Sequence, residues 1–199
     1  MSLVPKIVYS RARLAARLAV IGKQVSRDYA GRTVDAVIIL EDAFIFAADL
    51  LRAISRPVVC HFVRLEMRDV ELSGFSRREV FFSKPPVLKD RDILIIASML
   101  HTGVTMDFLC KRLQENRPRS LRIAVLMDRP EDRRVDLQPD YFGFLGASNR
   151  FIGYGLAGPH EHFRNLPFVG VIGSKTAAGS GKRKSGRGSK AARLKRGKS

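Results

Sequence analysis

The residues of this chain whose types and spacing could do chemistry fall just after its apolar runs. His101-Thr102-Gly103-Val104-Thr105 follows the run Ile93–Ile96 and opens a segment of helical period that reaches about Asn116. Free backbone amides at a helix start, reinforced by the helix dipole, form a cradle for a phosphate group. Threonines are also ordinary helix-start residues, so the turn at 102–105 has a purely structural reading as well. An imidazole there can exchange a proton near neutral pH, which makes His101 a candidate base. Glu41-Asp42-Ala43 follows the run Val34–Leu40 and places two carboxylates in an equivalent position. They would repel a phosphate, since like charges roughly 4 Å apart cost about 4 kcal/mol at an effective dielectric near 20. A plainer use of Asp42 is to N-cap the helix expected from Ala43.

These positions need elements to hold them. The apolar period from Arg11 to Tyr29 predicts a first helix, stopped by Gly31. Val34–Leu40 (VDAVIIL) predicts a strand buried on both faces and Ile93–Ile96 another buried strand, while the segment from Pro57 and Leu121–Met127 predict two more strands. Helices over Ala43–Ser55 and Val104–Asn116 lie between them. Shorter strands are expected at Val80–Ser83, Tyr141–Leu145, Phe151–Tyr154 and Phe168–Ile172. Alternating strands and helices imply a parallel sheet covered on both faces, with ligands beyond the carboxyl ends of its strands. That directs attention to residues 41–43, 66–80, 97–105 and 127–133.

Composition bounds the rest. Of 199 residues 45 % are hydrophobic and mean hydropathy is -0.07, which suits one globular domain. No apolar run is long enough to span a bilayer, and no membrane role is expected. Cys60 and Cys110 lack metal-ligand spacing and are expected to be buried free thiols in a reducing, cytoplasmic setting. The net charge is +17; Lys175 to Lys198 holds ten Lys or Arg and no acid, leaving +7 for the remainder. Residues 174–199 are therefore expected to be a disordered tail, solubilising or able to bind nucleic acid by counterion release. The Arg-rich, acid-free stretch before Asp28 has a targeting reading, set against the simpler one of a helix packed on the domain.

Ile93–Met106 (ILIIASMLHTGVTM) resembles the phosphoribosyl-diphosphate motif of type I phosphoribosyltransferases. Further segments are similar, in order, to the hypoxanthine-guanine branch: Ser26–Gly31, Phe46–Arg52, Asp140–Phe144, Gly153–Leu156 and Phe163–Pro167. The resemblance implies a Rossmann-like α/β fold over residues 1–173, a twisted, mainly parallel sheet flanked by helices with a small hood from the two chain ends. It also implies transfer of a ribose phosphate to a purine with magnesium, in a homodimer or homotetramer.

Set against that family pattern, most of the machinery is replaced. The acids that hold the ribose hydroxyls are Ala97 and Ser98 here, and the aspartate opening the Asp-Thr-Gly element is His101. The pyrophosphate loop, Leu-Lys-Gly-Gly in the family, reads Leu40-Glu41-Asp42-Ala43. The base pocket would be formed by Arg129, Arg150, Phe151 and Ile152, with Arg150 where the family stacks an aromatic ring. An aspartate linked to the metal is Ala157, whereas Arg164 matches a pyrophosphate-contacting arginine. The family's mobile-loop Ser-Tyr pair has no clear counterpart in residues 67–84, which hold Ser73–Ser76 and read as a diverged loop. No metal or other cofactor is expected, and the residual ligand would be a phosphate or nucleotide held at Thr102, Gly103, Val104 and Thr105. The leading expectation is a non-catalytic binding or regulatory protein. Two others stay open: an active enzyme of altered specificity with His101 as base, and a nucleic-acid- or ribosome-associated protein acting through its tail.

Overall fold

The computed structural model describes residues 5–68, 77–82, 87–146 and 150–172, the strand segments 66–68 and 77–82 by backbone alone. The diverged loop around Ser73–Ser76 and the tail at 174–199 lie outside the described residues. The chain runs β1 (Lys6–Tyr9), α1 (Arg11–Asp28), β2 (Val34–Leu40), α2 (Phe44–Ala53), β3 (Val58–Arg68) and β4 (Arg77–Phe82). It continues β5 (Asp92–Leu100), α3 (Val104–Gln114), β6 (Ser120–Asp128), β7 (Tyr141–Leu145), β8 (Phe151–Ile152) and β9 (Val169–Val171). A six-stranded sheet has the order β4-β3-β2-β5-β6-β7, and a three-stranded sheet the order β1-β9-β8. In the larger sheet β2, β3, β5, β6 and β7 are parallel, and only β4 is antiparallel.

Helix α1 forms because Leu14, Leu18, Ile21 and Val25 recur on one face, and Ser10 caps it by accepting a bond from the Arg13 amide at 3.3 Å. Those side chains bury against β2, β5 and α2, where full burial of each contributes about 1.5–3 kcal/mol. Gly22 permits the contact between α1 and α2, since a Cβ there would overlap the Ala53 carbonyl oxygen. On the opposite face Met106, Leu109, Cys110 and Leu113 of α3 cover Val37, Ile95, Ile123 and Val125.

The antiparallel pairing of β1 with β9, and of β9 with β8, is the hood. Strand β1 was not expected: it has four residues, two of them exposed, and therefore no period to read. Strand β5 outruns its apolar run and carries on through buried Ala97 and Ser98 to Leu100, because β6 pairs with it as far as Asp128. Cys110 is buried and its thiol is pushed up to about 12 by that burial, as expected of a core thiol. Cys60 corrects the expectation: it is exposed, on a β3 face left open at Cys60 and Phe62.

Candidate functional site

Strands β2 and β5 end, and β3 passes with Arg64 and Leu65, at a cavity of about 510 Å³, closed on one side by the turn into α3 and on another by Arg164. Its rim comes from Glu41 and Asp42 after β2, Arg64 on β3 and His101 to Gly103 after β5. The Leu40–Glu41 peptide bond is cis. Gly103 starts α3 in the left-handed region (φ +80), and a Cβ there would lie 2.7 Å from Cγ2 of Val135. The turn is thus shaped by a glycine and by segment 133–137 packed behind it. The Arg134 amide donates to the Thr102 carbonyl at 2.9 Å. Neither Thr102 nor Thr105 caps the helix through its side chain, and Thr102, Gly103 and Thr105 line the cavity.

Asp42 does not N-cap α2. The helix begins at Phe44 with Ala43 in the cap position and no side-chain bond. The Asp42 carboxylate instead accepts from Arg164, which also bonds Glu161 and the Gly155 carbonyl. Burial opposes the charge on Arg164, but the bonds to Asp42 and Glu161 outweigh it and raise the guanidinium above its ordinary value. Glu41 pairs with Arg64 at 3.2 Å, both side chains more than half exposed. The two loop carboxylates thus occupy the two arginines nearest the cavity.

His101 is about half exposed, and its Nε2 lies 3.2 Å from Oδ2 of Asp132. Asp132 also pairs with Arg129, and the neighbouring Arg133 donates to the His101 carbonyl at 2.6 Å and pairs with Asp128. The contact between His101 and Asp132 is one of distance alone, since Oδ2 of Asp132 has no hydrogen-bond partner among the described residues. A histidine this near a carboxylate is still placed to exchange a proton. The expected base-pocket residues separate. Arg150, Phe151 and Ile152 line a second cavity of about 340 Å³ with Ala157, Gly158 and Ile172. Arg129 lines neither cavity; its side chain is 11 % exposed and turned to Asp132. The sequence reading missed Arg64 and Asp132, and only the register Leu40↔Arg64 across β2 and β3 brings Arg64 to this rim.

The carboxylates at the cavity, Glu41 and Asp42, are both engaged by arginine. Among the described residues no three His, Cys, Asp or Glu side chains converge to hold a metal ion.

Residues 7–157 match the family model of the phosphoribosyl transferase domain. The hypoxanthine-guanine phosphoribosyltransferase of Streptococcus thermophilus is 30 % identical over 176 residues, covering 85 % of this chain and 93 % of that protein. This chain belongs to the hypoxanthine-guanine phosphoribosyltransferase family. The crystal structure of the Bacillus anthracis enzyme superposes with a TM-score of 0.77 at 26 % identity, covering 86 % of this chain and 99 % of that one. A longer relative, the bifunctional protein TilS/HprT of Listeria monocytogenes, is 27 % identical over 176 residues; these are 85 % of this chain, which spans only about a quarter (26 %) of that protein. The α/β fold, with five parallel strands and a hood, is that of the hypoxanthine-guanine phosphoribosyltransferases. No helix among the described residues is long and apolar enough to cross a membrane.

Proposed function

We propose that this phosphoribosyltransferase-like chain is a non-catalytic member of its family that binds a nucleoside monophosphate or free phosphate in a binding or regulatory role. The pairing of Asp42 with Arg164 carries the reading. The arginine available for a pyrophosphate already holds an internal anion, so an incoming one must displace a carboxylate of the same sign. Ala97, Ser98 and Ala157 offer no carboxylate to ribose hydroxyls or to magnesium, and catalysis by positioning is lost with them. The turn at Thr102–Thr105 keeps free amides and the start of an 11-residue helix, which suits one phosphate. The second cavity, with Phe151 and Ile152 on its wall, suits a flat apolar group.

The His101–Asp132 contact favours a second reading, an enzyme of altered specificity with His101 as base and Asp132 beside it. That reading leaves the ribose without a partner, and so ranks second.

Titration of the labelled protein by nuclear magnetic resonance tests the first reading. Inosine or guanosine monophosphate should bind at about millimolar strength, more tightly than phosphoribosyl diphosphate and regardless of magnesium. Thr105→Glu should abolish binding, and an acid in the first turn of α3 is otherwise tolerated. Tight, magnesium-dependent binding of phosphoribosyl diphosphate would overturn the proposal.

A further inference from the structure

The other end of the sheet, where the parallel strands begin, carries a surface that this family reading does not use. Residues 27–35, 55–58, 87–92, 112–122 and 138–140 lead into β2, β3, β5, β6 and β7; they hold nine Lys or Arg against six Asp or Glu. The described side chains around the cavity, at 41–43, 64–65, 97–105, 128–136 and 150–164, number six against seven. The amino end is therefore the positive end. Its loops form one surface, tied by backbone bonds from the Asp90 amide to the Arg117 carbonyl (3.1 Å) and from the Arg119 amide to the Arg91 carbonyl (2.8 Å).

Two of the six carboxylates, Asp35 and Asp92, lie behind the cations, whereas Asp90 is exposed on the cleft itself and Glu115 and Asp140 are exposed at its margin. Asp92 is buried and accepts from Arg32 at 2.8 Å, Arg119 at 2.9 Å and Ser120 at 2.7 Å. Asp35, also buried, accepts from Arg91 at 2.9 Å and faces Nε2 of His61 at 3.0 Å. The side chains of Arg32, Arg91 and Arg119 remain 34 %, 42 % and 57 % exposed and surround a cleft of about 210 Å³. Arg91 and Arg119, each held by a buried carboxylate, have already lost rotamer freedom while their remaining N–H groups still offer donors to a phosphate. Arg32 is spent on Asp92 and the Asp28 carbonyl and adds charge alone.

We propose that this end of the sheet binds the phosphate backbone of a nucleic acid. Fixed guanidinium forks, flanked by exposed Lys89 and Arg117, match a repeating array of phosphates. The same chain carries a second run of ten cations without an acid, Lys175 to Lys198, able to make the same sequence-independent contact. The inference is independent of what the cavity binds.

Fluorescence anisotropy of the full-length protein with a labelled RNA duplex, over a range of salt concentrations, tests it. Lys89→Glu/Arg117→Glu changes two exposed side chains that form no hydrogen bond or ion pair among the described residues. Affinity should fall by about tenfold or more, and the slope of log affinity against log salt should drop by about 2. Arg27→Glu, at a side chain 77 % exposed, should make a smaller step in the same direction. The charge-matched pair Arg11→Glu/Arg134→Glu, at the start of α1 and beside the cavity, should leave the slope unchanged. Equal losses for the two double variants, or no loss for Lys89→Glu/Arg117→Glu, would overturn the proposal. So would retention by phosphatidylglycerol vesicles without RNA binding.

Discussion

At the carboxyl end of the sheet, Asp42 and Glu41 sit on solvent-accessible loops, each paired with one arginine. At the amino end, Asp35 and Asp92 are buried in the strands; Asp92 is held by Arg32 and Arg119, and Asp35 by Arg91 with His61 beside it. An exposed pair contributes little to stability; under the proposed function its part is to set which ligand can enter. A buried carboxylate contributes through its partners, because removing it strands their donors, and it gathers surplus positive charge at the surface. The two ends thus separate what the fold needs from what the ligand needs. In this chain the end that would have to receive a pyrophosphate carries the excess of acid.

The largest effect should come from Asp92→Ala, which leaves Arg32, Arg119 and Ser120 without their acceptor. Denaturant titration should show a loss of about 3 kcal/mol; a loss below about 1 kcal/mol would mean that Asp92 is no anchor. Asp42→Ala should change stability by less than about 1 kcal/mol, since its side chain is half exposed. Yet it frees Arg164, so pyrophosphate binding, measured by calorimetry, should strengthen by roughly tenfold. Unchanged binding would show that the Asp42–Arg164 pair does not gate the cavity.

The smallest effect concerns Asp28, at the edge of the amino-end surface. Burial works against its charge, but bonds from Tyr141 and Arg27 and the nearby Arg122 hold its carboxyl below the ordinary value. A depressed folded value stabilises the protein above the unfolded value, near 3.9, and that contribution is lost as pH falls through the folded one. Asp28→Asn should therefore cost below about 1 kcal/mol at neutral pH and flatten the loss of stability on acidification below about pH 4. A steeper acid limb in the variant would reverse the sign of this contribution.

Much of the fold was legible because its core strands announce themselves. VDAVIIL is the whole of β2, and Tyr141–Leu145 is β7 to the residue. The turn into α3 was legible too, since Gly103 stands between an apolar run and a helical period. What could not be read were side chains whose partners lie far away in sequence. Asp42 has the local features of a helix cap, but Arg164 sits 122 positions on and takes its carboxylate. Arg129 follows an apolar strand as a pocket residue would, yet Asp132 turns it aside. Cys60 sits in an apolar pattern, and only the open face of β3 exposes it. Local pattern specifies elements, whereas ion pairs between loops depend on the assembled sheet.

The central claim is that the cavity retains a phosphate site but no catalytic one, and nucleotide formation is its most direct test. The purified full-length protein, with hypoxanthine or guanine, phosphoribosyl diphosphate and magnesium, should produce no nucleoside monophosphate above the rate without protein. Turnover of about 1 s⁻¹ or more, within the ordinary enzyme range, would contradict the account and give His101 and Asp132 the catalytic role.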